Sequence, residues 1–263
     1  LSHKILQDWL LPIGLITSLY GVIGAIGAER LRRFVGFMVL SSIGTILIAI
    51  SMLNTQAWSA ALYYLVHSTL IAAAFYLLCG WITSQRGAFK DHFNIAPQMK
   101  QHKVLAITYF MIALMMAGLP PFSGFLGKVF ILQATANMAH QGWIIGIILL
   151  VSLLSIIAFT RVGFILFWRA TKPEDDIQTK AYDEYQTLPA IAPPRNDRVI
   201  YLLLTGLVLY VVFANPIQQY MLNTAQQIQH NAAYEALILK KDRTGNVISV
   251  QPYDPLYLPE TKY

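Results

Sequence analysis

Charge is what this chain has least of. Asp, Glu, Lys and Arg make up 12% of its 263 residues, about half of what soluble globular chains carry. So few ionic groups cannot cover the water-facing surface of a protein this long, which excludes a soluble fold. Cysteine occurs once, at Cys79, so an internal disulfide and a C-x-x-C metal or redox pair are both excluded. A compact secreted module goes with them. The opening LSHKILQDW has neither the apolar stretch nor the small residues of a signal peptide. Leu1 is not a start methionine, so the chain reads as the C-terminal part of a longer protein. No nucleophile–base pair, phosphate loop or metal-ligand spacing occurs, which removes soluble enzymes from consideration and gives no reason to expect a cofactor or metal. What is abundant is apolar: 56% hydrophobic residues and a mean hydropathy of +0.52. That composition excludes disorder and leaves a polytopic membrane protein.

A helix needs about 20 apolar residues to cross the hydrocarbon core. Six segments qualify: 10–28, 34–53, 58–82, 104–139, 142–168 and 199–214, the last able to extend towards Tyr220. They are too long for membrane strands and lack two-residue alternation, so the expected fold is an all-α transmembrane bundle of about six spans. The connections are asymmetric. Arg30, Arg32 and Arg33 follow the first span; Arg86, Lys90, Lys100 and Lys103 follow the third; Arg169, Lys172, Lys180, Arg195 and Arg198 follow the fifth. The alternate connections, 54–57 and 139–142, contain no Lys or Arg. Twelve basic residues against none place the three basic loops in the cytoplasm. The net charge of +6 is thereby explained by membrane orientation, with no call for nucleic acid. Residues 1–222 are expected as the transmembrane domain, with a cytoplasmic loop at 169–198, and 223–263 as an extramembrane tail on the outer side. The acidic, Pro-containing 170–198 loop matches no calcium-loop spacing and reads as solvated or as a docking loop for another subunit. An amphipathic helix is expected over 217–239, with Ile217, Met221, Ile228 and Leu237 near one side, and an extended tail beyond Lys240.

Ionisable groups within the bilayer are costly and usually functional. This chain has three inside its spans, His67, Lys128 and Arg161, and no Asp or Glu there. His67 lies mid-span, with Tyr63 four residues before it on a shared face and Ser68 and Thr69 beside it. Two readings stand for it: a proton relay, since imidazole takes and releases protons near neutrality, or a packing hydrogen bond to a neighbouring helix. Lys128 follows a stronger signal. In Ala117-Gly-Leu-Pro-Pro-Phe-Ser-Gly-Phe-Leu-Gly-Lys128, Pro120 and Pro121 cannot donate helical amide hydrogens, and Gly118, Gly124 and Gly127 loosen the backbone. Such a break survives at membrane depth only where the freed carbonyls meet protein or water, and discontinuous helices mark ion pathways. That context favours function over a lysine snorkelling to the interface. Arg161 holds its charge at any relevant pH; it either anchors a helix and sets the local field, or pairs with carbonyls near the cytoplasmic end. Ser41, Ser42 and Thr45 fit a small-residue packing face better than a wet path.

Four stretches resemble the antiporter-like subunits shared by Mrp-type cation/proton antiporters and respiratory complex I. They are Gly21-Val-Ile-Gly-Ala with Arg30-Leu-Arg-Arg33 and Ser41-Ser-Ile-Gly44; Ala60 to Gly80; Gly118 to Lys128; and Ile157-Ala-Phe-Thr-Arg161 through Phe167-Trp-Arg169. The order is collinear over about residues 10–240. Within that group the chain is most similar to the D subunits of the Mrp (Pha, Mnh) antiporters. Complex I relatives tend to carry a lysine one turn after the histidine and a second histidine one turn before it; here those positions are Ile71 and Tyr63.

The resemblance implies the second of two inverted five-helix repeats plus a closing helix. The first repeat, with a membrane glutamate and a paired lysine, is then expected upstream. It implies one component of a hetero-oligomeric complex in the bacterial inner membrane, exchanging Na⁺ or K⁺ for protons, with His67 as the central relay and Lys128 as the broken-helix lysine. Tyr63, Ser68, Thr69 and Arg161 are then supporting positions. A proton-pumping subunit of complex I or a related hydrogenase, and a non-conducting scaffold subunit, are the alternatives.

Overall fold

The computed structural model describes residues 2–94, 96, 98–136, 138, 141–169, 197–229, 239–241 and 247–250. The expected loop at 170–196 and most of the tail beyond 229 lie outside the described residues. The described chain is almost wholly helical. In order come α1 (Ser2–Ile26), α2 (Leu31–Ser51), α3 (Thr55–Gln85), α4 (His102–Ala117), α5 (Ser123–Ala134), α6 (Gln141–Gly163), α7 (Asp197–Val212) and α8 (Ala214–Gln229). A π-helical turn, Phe164–Trp168, continues α6. A two-stranded antiparallel ribbon, β1 (Leu239–Lys241) and β2 (Val247–Val250), closes the order. Only extended chain is expected there from sequence, although Asp242, Gly245 and Asn246 between the strands are turn-forming residues.

Four helices, α1, α2, α3 and α6 with its extension, are each long and apolar enough to cross a membrane, or five spans if the bent α7–α8 pair counts as one. About six were expected. The difference lies in the interrupted 104–139 run, whose two halves, α4 and α5, are each shorter than a crossing. The last span, expected at 199–214, ends at Val212. The extension it could have made towards Tyr220 is instead a separate helix, α8, which leaves at 82° to α7. Asn215-Pro216 supplies the reason: proline withholds an amide hydrogen and disfavours helix in the residue before it, yet suits the first turn of a new helix. The helix α8 runs through position 222 and packs across α3.

The helices stack by alternation of direction, which gives the bundle two ends. At the basic end the turn after α1 pairs with the loop after α3: Leu31 N donates to Asp91 O at 2.8 Å and Phe93 N to Glu29 O at 3.0 Å. Buried Arg86 organises that loop, donating to the carbonyls of Lys90 (3.3 Å), His92 and Asn94 (2.7 Å). Burial draws its guanidinium down to about 10, with Asp91 pulling the other way, so Arg86 stays charged at neutral pH. At the neutral end Asn54 serves two elements. Its Oδ1 accepts from Ala57 N at 2.7 Å, capping α3, and its Nδ2 donates to Ala134 O at 3.2 Å, closing the end of α5. Replacing Asn54 by alanine removes both bonds and should cost about 1–2 kcal/mol, read as a lower thermal midpoint of the purified complex.

Small residues set the closest packing. Ser18 and Gly21 of α1 meet Ser41 and Gly44 of α2; a Cβ on Gly21 would lie 2.4 Å from Ser41 N, and one on Gly44 would lie 2.3 Å from Ser18 N. Ser41 Oγ donates across this seam to Ser18 O at 2.9 Å. Ser41 therefore sits in a small-residue packing face of the membrane type. Deeper in the bundle Phe34, Phe75, Tyr109 and Phe159 form an edge-to-face and stacked aromatic cluster. Large apolar residues such as Trp9, Ile16, Trp143 and Leu153 face outward on α1 and α6, as helices bathed in lipid or covered by other helices must.

Candidate site at the broken helix

The break begins where α4 runs out of backbone donors. Gly118 adopts φ +81°, the left-handed conformation glycine takes without a steric penalty, and caps α4 by donating to Leu114 O. Pro120 and Pro121 follow, joined by a cis peptide. Helix resumes at Ser123. A helix end leaves its last carbonyls without internal partners. One of these, Ala117 O, accepts from Lys128 Nζ at 2.8 Å. The ammonium donates also to Ser152 Oγ of α6 at 2.9 Å, and Ser152 in turn donates to Ile148 O. Lys128 is only 8% exposed. Its charge thus sits against the partial negative end of α4, the side of a helix macrodipole that stabilises cations.

The bare Cα of Gly118 makes room for this: a Cβ there would lie 3.0 Å from Lys128 Nζ. Gly124 does the same for the imidazole. Its absent Cβ would sit 2.2 Å from Met115 O and 2.8 Å from His67 Nε2. On the other side of the ring, His67 Nδ1 shares a 2.8 Å hydrogen bond with Ser123 Oγ, the first residue of α5. Gly127 gives way to Tyr64, a Cβ there falling 2.7 Å from the ring. The three glycines of the break and α5 therefore let three side chains, Lys128, His67 and Tyr64, pack into one short stretch. His67 is 1% exposed, and Lys128 lies within its electrostatic reach.

The structure separates the remaining expected residues. Tyr63 is buried but faces α7: its backbone oxygen accepts from Tyr210 at 3.1 Å, and its ring meets Phe130 and Tyr210. Tyr64, three residues before His67, provides the aromatic neighbour of the imidazole instead, with ring centroids 5.7 Å apart. Ser68 is buried. Thr69 is exposed and turns back to Leu65 O at 2.8 Å; two residues along a helix is more than half a turn, so it points away from His67. Pro120 and Pro121 lie exposed at the break. Arg161 donates to Ile26 O at 2.9 Å and stands over the Phe93 ring. It closes the end of α1 at the basic side, about 13 Å along α6 from Ser152. Two site residues, Ser123 and Ser152, are absent from the sequence-based set. Ser123 had a signal, its place two residues after the prolines; Ser152 had only its polarity, which it shares with Ser155 in the same apolar run.

Known proteins share both sequence and shape. A probable K⁺/H⁺ antiporter D subunit of Rhizobium meliloti is 27% identical, the match covering 91% of this chain and 47% of that protein. The Na⁺/H⁺ antiporter D subunit of Bacillus subtilis is 31% identical over 65% of this chain and 34% of its own length. The chain thus spans about half the length, or less, of the curated relatives it matches. Among solved structures, a chain of the Mrp complex from a Dietzia species superposes with a TM-score of 0.69 at 20% identity, covering 87% of this chain and 49% of that one. A chain of respiratory complex I from Thermus thermophilus gives 0.69 at 19%, covering 86% and 45%. Residues 1–157, which run from α1 through the break and most of α6, match one family over more than half of the chain: this protein belongs to the NADH:quinone oxidoreductase/Mrp antiporter transmembrane family.

Proposed function

We propose that the chain is a proton-translocating membrane subunit of a multisubunit Na⁺(K⁺)/H⁺ antiporter, a transport component and not an enzyme, exchanging cytoplasmic monovalent cation for external protons. One observation carries this reading: an ammonium, Lys128, is buried at a snapped helix on neutral partners among the described residues, with an imidazole held at the first residue of the same short helix that carries it. No Asp or Glu occurs in the apolar runs to neutralise it. Groups placed this way influence each other's charge, so a proton arriving at one changes the readiness of the other to hold one. Protons would pass between them through buried water, with Ser123 and Ser152 as hydroxyl partners. The names of the two antiporter relatives support cation/proton exchange. Ile71, fully buried one turn after His67, stands where complex I relatives tend to have lysine, which favours the antiporter over a redox-driven pump.

The partners would be the other subunits of the complex, the part of the polypeptide that completes the relatives' length, and the bilayer of the bacterial inner membrane. The basic end would face the cytoplasm, with the transmembrane part ending near residue 222 and the remainder outside. The test is direct. Everted vesicles carrying the assembled complex, acidified inside, should lose their pH gradient on addition of Na⁺ or K⁺, and vesicles without the complex should not. A gradient that ignores both cations, or that forms only with a quinone reductant, would overturn the antiporter reading.

A further inference from the structure

The π-helical turn that ends α6 takes no part in the relay. Such turns are rare and gather at functional sites. Here the turn buries Phe167, which is 5% exposed, and leaves Trp168 at the surface, 65% exposed. Between these two side chains and the start of α4 lies a cavity of about 520 Å³ at the basic end of the bundle. Its α4 wall is ordered along the helix. His102 and Lys103 stand in the first turn; Ala106 and Ile107 follow each by four residues, on the same face and one turn further from the basic end. A cation and an imidazole thus form the rim, and aliphatic and aromatic groups form the floor. The lining holds no Asp or Glu. Arg169, also exposed, is the next residue after Trp168. The His102 ring rests edge-on against Phe167, with centroids 5.7 Å apart. Its Nδ1 is buried and has no hydrogen-bond partner among the described residues, an uncommon state for a buried polar atom.

The level of the cavity bears on what fits it. The α6 helix with its π turn is long and apolar enough to cross a membrane, so its end falls where hydrocarbon gives way to headgroups. Tryptophan favours that level, and lysine and arginine carry their charge up to it. A phospholipid has the same order along its length, phosphate outermost and acyl chain within. Its phosphate matches Lys103 and the positive end of the α4 macrodipole. Its upper acyl carbons match Ala106, Ile107 and the Phe167 ring. A soluble anion would leave that apolar floor uncovered. Basic pockets between membrane helices do bind anionic headgroups. We propose that this cavity is a binding site for an anionic phospholipid, its phosphate on Lys103 with Arg169 alongside, and one acyl chain laid along Ile107 and Phe167. The site is separate from Lys128 and His67 and stands whether or not they relay protons.

Photolabelling of the assembled complex tests this. The complex is placed in phosphatidylethanolamine vesicles with a trace of phosphatidylglycerol carrying a diazirine on its upper acyl chain, illuminated, and mapped by peptide. Label should appear at Ile107 and Phe167. Excess unlabelled phosphatidylglycerol should displace it, and inorganic phosphate should not. Lys103 is exposed, so its replacement disturbs no packing. Lys103→Glu should lower the labelling about tenfold, and Lys103→Arg should keep it. Ile107→Trp, which fills the floor from an exposed position, should also remove the label. Intact complex on a native gel controls for assembly. Equal labelling by phosphatidylethanolamine bearing the same diazirine would overturn the site, as would labelling unchanged in Lys103→Glu. Displacement by inorganic phosphate would show an anion site with no lipid. Label lost in Lys103→Glu but kept in Ile107→Trp would show attraction to the surface charge alone, and would likewise reject a seated lipid.

Discussion

Cation-driven proton exchange should fall about 100-fold or more when Lys128 is replaced by alanine, the scale of losing a positioned proton-transfer group. The complex should still assemble. The argument turns on what the amine does besides carrying a proton. It fills the notch left by Gly118, satisfies Ala117 O and reaches Ser152, so a loss in Lys128→Ala alone could reflect damage to the break. Two further variants separate the roles. Lys128→Gln keeps a donor for Ala117 O but does not titrate. Lys128→Arg keeps the charge and donors but holds its proton at any relevant pH. If the amine is a relay, both stay inactive in assembled complexes. If it is only a cap for α4, glutamine or arginine restores exchange. Retained exchange in Lys128→Ala, with the complex intact, would mark the subunit as a scaffold. Everted vesicles with a pH-sensitive dye, paired with native gels, give both readouts.

A methyl group on Gly124 should damage stability and function together. The new Cβ would fall 2.2 Å from Met115 O and 2.8 Å from His67 Nε2. The first neighbour is backbone, so α4 and α5 must separate. Forcing extra atoms into a packed interior typically costs about 1–3 kcal/mol, and contact with a main-chain oxygen puts this case at the upper end. Moving α5 also pulls Ser123 from His67 and carries Lys128 away from Ala117. Thermal stability of the complex and exchange should therefore fall together. Gly146→Ala, whose Cβ would meet nothing within 4 Å, is the matched control and should change neither. A Gly124→Ala variant as stable and active as Gly146→Ala would show that the two half-helices are not held in this register.

Much of this was legible from residue order because the physics involved is one-dimensional. Long apolar runs, basic loops at alternate connections and two prolines within a hydrophobic stretch need no partner to be read. His67 and Lys128 stood out because ionisable groups in such runs are rare. The companions of His67 did not, because they depend on which neighbour each helix face meets. Tyr63 and Tyr64 both lie about one turn before the histidine, on either side of its line along the helix; only the placement of α5 and α7 decides that Tyr64 attends the imidazole and Tyr63 turns to Tyr210. Thr69 was a reading of adjacency where angle rules. Arg161 had two readings, and its bond to Ile26 O is a contact 135 residues distant in sequence, beyond any local pattern. The bend between α7 and α8 was written in Asn215-Pro216, but the apolar stretch running up to it argued for continuity.

The seam between α1 and α2 carries a consequence for heredity. At positions 14, 21 and 44 the nearest neighbours of an added methyl include main-chain nitrogens of the facing helix, at 2.8, 2.4 and 2.3 Å. No side chain can bend away to make room, so a mutation there has no silent outcome. Glycines 80, 142, 146 and 206 border open space and are at liberty to drift. Natural variants of this protein should therefore divide their glycines into two populations, one frozen and one freely exchanged, along lines drawn by the distance between two backbones.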